Sequence, residues 1–218
     1  MTHILRVDAS ARTTRSLSRR LGDRFISEWT LREPDVVVTT RDVGTRPPPL
    51  ISEAWIAAVF SDGTTSEQQQ ITRISDELIA EVVAADFIVF TTPMYNYGMP
   101  AALKAWFDQV VRINKTFTFD LARGDRPLLP VLSGKTVVAL TSWGEFGFGA
   151  GELNEGLDNL VPHLRVASKY LGMSDFHHIG IEYQEFGDHR HEASKAAASI
   201  AVSQLAARLA RPADGTQT

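Results

Sequence analysis

Short runs of β-branched and aliphatic residues alternate along this chain with stripes of helical spacing. That alternation constrains the fold more than any other feature. The runs are Ile4–Val7, Val36–Thr40, Phe87–Thr91 and Val137–Thr141, with a weaker one at Phe176–Glu182. None alternates cleanly between apolar and polar residues, which is the pattern of strands covered on both faces of a parallel sheet. Between the runs, Leu17, Leu21, Phe25 and Trp29 recur at helical spacing, as do Ile71, Ile74, Leu78 and Val82. The second of these helices opens on Thr64-Thr65-Ser66-Glu67-Gln68, where Thr64 with Glu67 and Thr65 with Gln68 both have capping-box spacing. Leu103, Trp106, Phe107 and Val110 form a further stripe, with Pro100 placed as a first-turn proline. Val202, Leu205 and Leu209 mark a last helix. Strand and helix in repeated alternation predict a doubly wound, three-layer α/β fold with right-handed crossovers.

At 218 residues the chain can bury a sizeable core as one domain, taken as 1–210, and the polar Arg211–Thr218 is expected to be a disordered tail. Two connections exceed ordinary loop length. Asp42–Gly63 holds Pro47-Pro48-Pro49 and then Trp55, Ile56, Val59 and Phe60. Asn114–Gly134 holds Phe117 and Phe119. Such insertions serve as lids, substrate walls or partner surfaces, or else as satellite packing on the core; the sequence leaves both open.

The chain has no cysteine, which excludes disulfides, cysteine-ligated metal clusters and thiol redox chemistry. Any redox activity needs a cofactor to carry the electrons. A formal charge of -4 gives no basic footprint for nucleic acid. No run approaches the roughly 18 apolar residues of a membrane helix. Met1-Thr2-His3 has none of the features of a signal peptide, so the cytoplasm is the expected location.

In an open α/β sheet, ligands bind beyond the carboxyl ends of the strands. Three loops therefore matter. Ser10–Ser18 lacks the glycines and lysine of a P-loop, but it places hydroxyls directly before a helix, where free N–H groups and Ser/Thr side chains can hold a phosphate monoester. An unliganded N-cap explains the same residues. Thr92–Pro100 carries Met94, Tyr95, Asn96, Tyr97 and Met99 at a strand end, a setting for the face and edge of a flat heterocycle or for a plain hydrophobic plug. Ser142–Gly151 is rich in glycine and aromatics without fitting G-x-G-x-x-G, and it suits either a ligand edge or a surface turn. The histidines do not suggest a metal. His177 and His178 are adjacent on a strand and face opposite sides. His189 and His191 begin a helix and are expected on its solvated face.

Together the loops resemble the FMN-dependent azoreductase (NADH:quinone oxidoreductase) family. The resemblance is carried by Pro93-Met94-Tyr95-Asn96-Tyr97, followed by Leu103-Lys104 and Phe107-Asp108. It extends through Ser10, Ser16-Leu17-Ser18, Ser75-Asp76-Glu77-Leu78-Ile79, Thr116-Phe117 and Thr141-Ser142. It implies a flavodoxin-like fold with a five-stranded parallel sheet in the order 2-1-3-4-5. It also implies FMN with its phosphate on Ser10, Ser16, Leu17 and Ser18, its ring against Pro93, Met94, Tyr95, Asn96 and Tyr97, and a third contact set on Ser142, Trp143, Gly144 and Glu145. The family commonly has a small, glycine-rich stretch after that serine; here Trp143 and Glu145 depart from it. A homodimer with active sites at the interface is implied as well, and the insertion around Trp55, Ile56 and Phe60 is a candidate contributor.

The activity implied is ping-pong: hydride from NADH or NADPH to the flavin, then two-electron reduction of a quinone or an aromatic azo compound. The cofactor carries the chemistry and the protein positions it. Phe117, Phe119 and Phe148 are candidate walls for flat substrates, with core packing as the plain alternative. Glu145 is a candidate proton donor beside the ring. Arg123 and Arg126 are available to a 2′-phosphate. The alternatives are a general NADPH-dependent FMN reductase and a flavodoxin-type electron carrier. A receiver-type domain needs clustered acids after the first strand, where only Asp8 stands.

Overall fold

In the computed structural model, which describes residues 1–61 and 65–210, five parallel strands form the central sheet. The order along the chain is β1 (His3–Asp8), α1 (Leu17–Thr30), β2 (Val37–Asp42), α2 (Glu53–Phe60), α3 (Ser66–Ala84) and β3 (Phe87–Pro93). There follow α4 (Ala101–Val110), β4 (Phe117–Phe119), β5 (Leu128–Pro130), β6 (Lys135–Ser142), α5 (Val161–Ser168), β7 (Met173–Ile181) and α6 (His189–Leu209). The sheet runs β2-β1-β3-β6-β7, the expected 2-1-3-4-5 order once the separate antiparallel pair β4–β5 is set aside.

Successive residues of the central strands feed opposite cores, as the strand period requires. Leu5, Val7, Ile88, Phe90, Val137 and Ala139 face α3, α4 and α5. Ile4, Val89, Val138 and Leu140 face α1 and α6. All four residues of the first stripe, Leu17 to Trp29, are buried there, and so are Leu103, Trp106, Phe107 and Val110 on α4. The edge strands depart from the two-sided burial expected of them. β2 is half-exposed along its length and runs to Asp42 rather than Thr40. β7 starts earlier than expected, at Met173, and ends at Ile181.

Helix α3 is capped by Thr65 and Gln68 acting reciprocally; the alternative cap at Thr64 lies outside the described residues. Pro100 is the N-cap of α4 rather than a residue of its first turn. The first insertion contains α2, which packs on α3, buries Trp55 and leaves Ile56 and Phe60 exposed. It is tied down where Gln109 Nε2 donates to the Pro49 carbonyl at 2.9 Å. The second insertion is the β4–β5 hairpin. The tail 211–218, expected to be disordered, lies outside the described residues.

No described helix is long and apolar enough to cross a membrane. His177 pairs with Asp175, while His178 bonds Thr141 at 2.8 Å, so the two histidines have separate partners. His191 is not on a solvated face. It is buried, and its Nδ1 lies 2.9 Å from the Glu182 carbonyl oxygen.

Candidate functional site

A cleft opens at the carboxyl ends of the strands. It spans about 670 Å³, open solvent included, between the Ser10 and Ser16–Leu17 end of the first loop, Pro93–Tyr95, Ser142, Gly144 and the Gln184–Glu185 turn. A second hollow adjoins it over Met94, Asn96, Tyr97, Gly144, Glu145 and Glu185.

The first wall is the start of α1. Ser16 is the N-cap, and its Oγ accepts from Arg19 N at 3.3 Å and lies 3.3 Å from Ser18 Oγ. The N–H groups of Leu17 and Ser18 have no acceptor among the described residues. A helix N-terminus with free N–H groups and buried hydroxyls at Ser10, Ser16 and Ser18 is a ready anion site. Arg12 and Arg15 line the same wall.

A buried charge network fixes this loop from below. Arg19 donates to Asp42 Oδ1 at 2.7 Å, to Asp8 Oδ2 at 3.1 Å and to the Ser10 carbonyl at 2.7 Å. Arg6 Nε donates to the other Asp8 oxygen at 2.7 Å, and Arg6 reaches Asp23 at 2.6 Å. Burial alone would raise the Asp42 carboxyl, but the bonds from Arg19 and Thr45 outweigh it and hold the group below its ordinary range. Gly44 completes the arrangement, because a Cβ there would lie 2.1 Å from the Ser10 carbonyl oxygen.

The second wall continues β3. Met94 N donates to Ser142 O at 2.9 Å, and Tyr95 and Gly98 exchange backbone bonds of 3.1 and 3.0 Å. Between them, Asn96 and Tyr97 have φ of 48° and 62°. Two consecutive positive φ values make a tight turn of the I′ kind, and a tyrosine there costs of order 1 kcal/mol. Tyr95 and Tyr97 remain about two-fifths exposed. The N–H groups of Asn96 and Tyr97 have no acceptor among the described residues.

The third wall contributes backbone. Trp143, Gly144 and Glu145 offer their carbonyls to the N–H groups of Gln184, Glu185 and Tyr183 at 3.2, 3.0 and 3.0 Å. The N–H groups of Gly144 and Glu145 are free among the described residues. The Trp143 indole leaves the cleft and packs against His178 and Phe148, with centroids 5.2 and 5.4 Å away. It lies over Gly180, where a Cβ would come 2.7 Å from the ring. Its bulk therefore does not fill the cleft. The Tyr97 hydroxyl donates to Glu145 Oε1 and Oε2 at 3.1 and 3.2 Å, and that bond to a carboxylate raises the phenol above its ordinary pKa.

Of the residues expected to hold a cofactor, the structure brings Ser10, Ser16, Leu17, Pro93, Met94, Tyr95, Ser142 and Gly144 to the main cleft and Asn96, Tyr97 and Glu145 to its neighbour. Ser18 lies fully buried beneath Ser16. The three candidate walls do not line the cleft of this chain. Phe117 packs on Tyr170 at 5.5 Å, Phe148 packs on Trp143, and Phe119 is half-exposed on the hairpin. Arg123 is engaged within the hairpin, with Thr118 and the Pro127 carbonyl. Arg12, Arg15, Gln184 and Glu185 were not expected. The last two follow β7, and reading every strand end, the fifth included, would have found them.

A family model described as a flavodoxin-like fold matches residues 2–205. An "FMN-dependent NADH:quinone oxidoreductase 2" of Idiomarina loihiensis is 51% identical, covering 96% of this chain and 91% of its own length. A protein of the same name from Colwellia psychrerythraea is also 51% identical, covering 96% of this chain and all of the relative. Among solved structures, an FMN-dependent NADH-azoreductase from Bacillus anthracis in complex with FMN superposes with a TM-score of 0.84 over 97% of this chain and 100% of that one. At 19% identity, this shows likeness of fold.

Proposed function

Because this chain belongs to the flavodoxin-like family of FMN-dependent NADH:quinone oxidoreductases, we propose that it is itself such an enzyme, reducing quinones and aromatic azo compounds with NADH. The observation that carries this reading is the set of free backbone donors at the cleft and its adjoining hollow: Leu17 and Ser18 at a helix N-terminus, Asn96 and Tyr97 on one side of the hollow, Gly144 and Glu145 on another. These fit FMN chemically. The helix end with Ser10 and Ser16 suits a phosphate monoester. The two sides of the hollow suit the polar edge of a flat ring, and Pro93, Met94 and Tyr95 suit its face.

When bound, FMN would supply the two-electron redox chemistry that links the nicotinamide donor to the acceptor. The chain's own contribution is position and electrostatics. Free N–H groups at the edge of the ring site favour negative charge there. Glu145, which accepts the Tyr97 hydroxyl in the adjoining hollow, is the group we propose to move a proton.

A homodimer completes the reading. It is supported by exposed apolar side chains on the two insertions, Ile56 and Phe60 on α2 and Phe119, Leu128 and Leu129 on the hairpin. The cytoplasm is the compartment proposed, since that is where the NADH pool lies.

The test is a steady-state assay of the purified protein with NADH and NADPH as donors and menadione and an azo dye as acceptors. Parallel lines in double-reciprocal plots, with NADH the better donor, support the reading. NAD(P)H oxidation absent with every acceptor contradicts it.

A further inference from the structure

Behind the third wall, three aromatic rings from two different loops surround one arginine. Phe146 and Tyr183 stack with centroids 4.3 Å apart and planes 16° from parallel, and Phe186 meets Phe146 edge-on at 5.5 Å. The Arg190 guanidinium stands 5.5, 4.9 and 4.9 Å from the centroids of Phe146, Tyr183 and Phe186. Asp188 fixes that guanidinium, accepting from Arg190 Nε at 2.9 Å and Nη2 at 2.7 Å, while its other oxygen caps α6 by accepting from Arg190 N at 2.9 Å. Tyr183 holds φ of 62°, a conformation a tyrosine keeps only where its surroundings impose it.

The cluster bears directly on the cleft. Tyr183 N donates to the Glu145 carbonyl at 3.0 Å, and the Glu145 carboxylate accepts the Tyr97 hydroxyl across the adjoining hollow. Phe146 is the next residue along, and Gly147 N is anchored separately on Glu182 Oε1 at 3.0 Å. The segment Gly144–Glu145, whose N–H groups are free, is thus held by backbone bonds to the 183–185 turn and, at its far end, by the ring stack that Arg190 of α6 covers.

The geometry points to Arg190 as a positioning residue for the cofactor edge: with Phe146, Tyr183 and Phe186 it holds the Gly144–Glu145 amides, and through Glu145 the Tyr97 side chain, at the ring site. Arg190 touches no substrate; it acts through the loop. A cation over several rings attracts their negative faces and orders them mutually. The Arg190 side chain is 40% exposed, so its truncation opens no core cavity.

The inference rests on the FMN reading above. The experiment titrates FMN into full-length wild-type protein, Arg190→Ala and Arg190→Lys, each freed of flavin, following flavin fluorescence and the absorbance band of the bound ring. Arg190→Ala should bind FMN about tenfold more weakly, as expected from losing stacked cation–aromatic contacts. It should also shift the band and raise KM for the quinone more than it lowers kcat. Arg190→Lys keeps the charge but not the planar face and should recover only part of the loss. Wild-type affinity and an unshifted band in Arg190→Ala would overturn the inference, as would full recovery by lysine. Failure of the wild-type protein to take up FMN is a separate result, one that removes the cofactor reading itself.

Discussion

Replacing Arg19 with methionine separates the buried charge network from the loop it supports. Arg19 gives Asp42 two bonds of 2.9 and 2.7 Å, Asp8 one of 3.1 Å and the Ser10 carbonyl one of 2.7 Å, with its side chain only 11% exposed. Removing one partner of a fully buried ion pair costs about 3–5 kcal/mol, because the other charge is left uncompensated. Here the loss is smaller. Asp8 keeps Arg6 at 2.7 Å, and Asp42 keeps Thr45 N at 3.0 Å with its side chain 21% exposed. The expected destabilisation is therefore roughly 2–3 kcal/mol. For a chain of this size that is a fall of about 4–12 °C in the thermal midpoint.

The Ser10 carbonyl also loses its anchor, so FMN affinity falls with stability. The assay is thermal unfolding by far-UV circular dichroism with and without FMN, against Arg24→Met as a control, since Arg24 is 48% exposed and its pair with Glu28 spans 3.7 Å. The acid limb gives a second check. Asp42 is held below its ordinary pKa in the fold, so its contribution is present above the unfolded value and is lost as pH falls through the folded one. Arg19→Met should flatten that limb. A variant with the wild-type midpoint, acid limb and FMN affinity would refute the reasoning.

Three further outcomes follow. His178, half-buried between Thr141 and Trp143, is pushed down by desolvation to about 4. It therefore stays neutral in the fold, and stability falls between pH 6.5 and pH 4 as the unfolded chain takes up the proton. Urea unfolding should show roughly 3 kcal/mol of this loss, at about 1.4 kcal/mol per pH unit, and His178→Asn should remove it. Glu145→Gln, which removes the carboxylate that accepts the Tyr97 hydroxyl, should lower kcat about tenfold, as loss of a proton-moving group that water partly replaces would do. Unchanged turnover would rule that role out. Phe60→Glu combined with Ile56→Glu should convert a dimer to a monomer by light scattering and lower turnover with it; wild-type mass would place the interface elsewhere.

The central strands were legible because each is a short, mostly apolar run whose alternate residues fill two cores, as Val137, Val138, Ala139 and Leu140 do. β2 was read short because Arg41 and Asp42 are polar. It continues because Asp42 stays paired to Asp8 in the sheet register and receives Arg19. Helix α2 follows three prolines and is a single short, almost wholly apolar segment, and the three-residue strands β4 and β5 show no periodicity to read. The Ala-rich first half of α6 carries no apolar stripe.

At the site, the Ser10–Ser18 and Met94–Tyr97 loops were legible because their chemistry lies in consecutive residues. The direction of the Trp143 indole was not, since it depends on Gly180 of the neighbouring strand. Nor was the Arg190 cluster, whose members come from two loops and the first turn of α6 and meet only in the folded chain.

The visible absorbance spectrum of the purified protein tests the central claim most directly. The account predicts flavin bands that survive gel filtration, with released FMN matching one per chain, or the appearance of those bands when FMN is added to a colourless preparation. A protein that remains colourless after FMN is added and excess removed would contradict it.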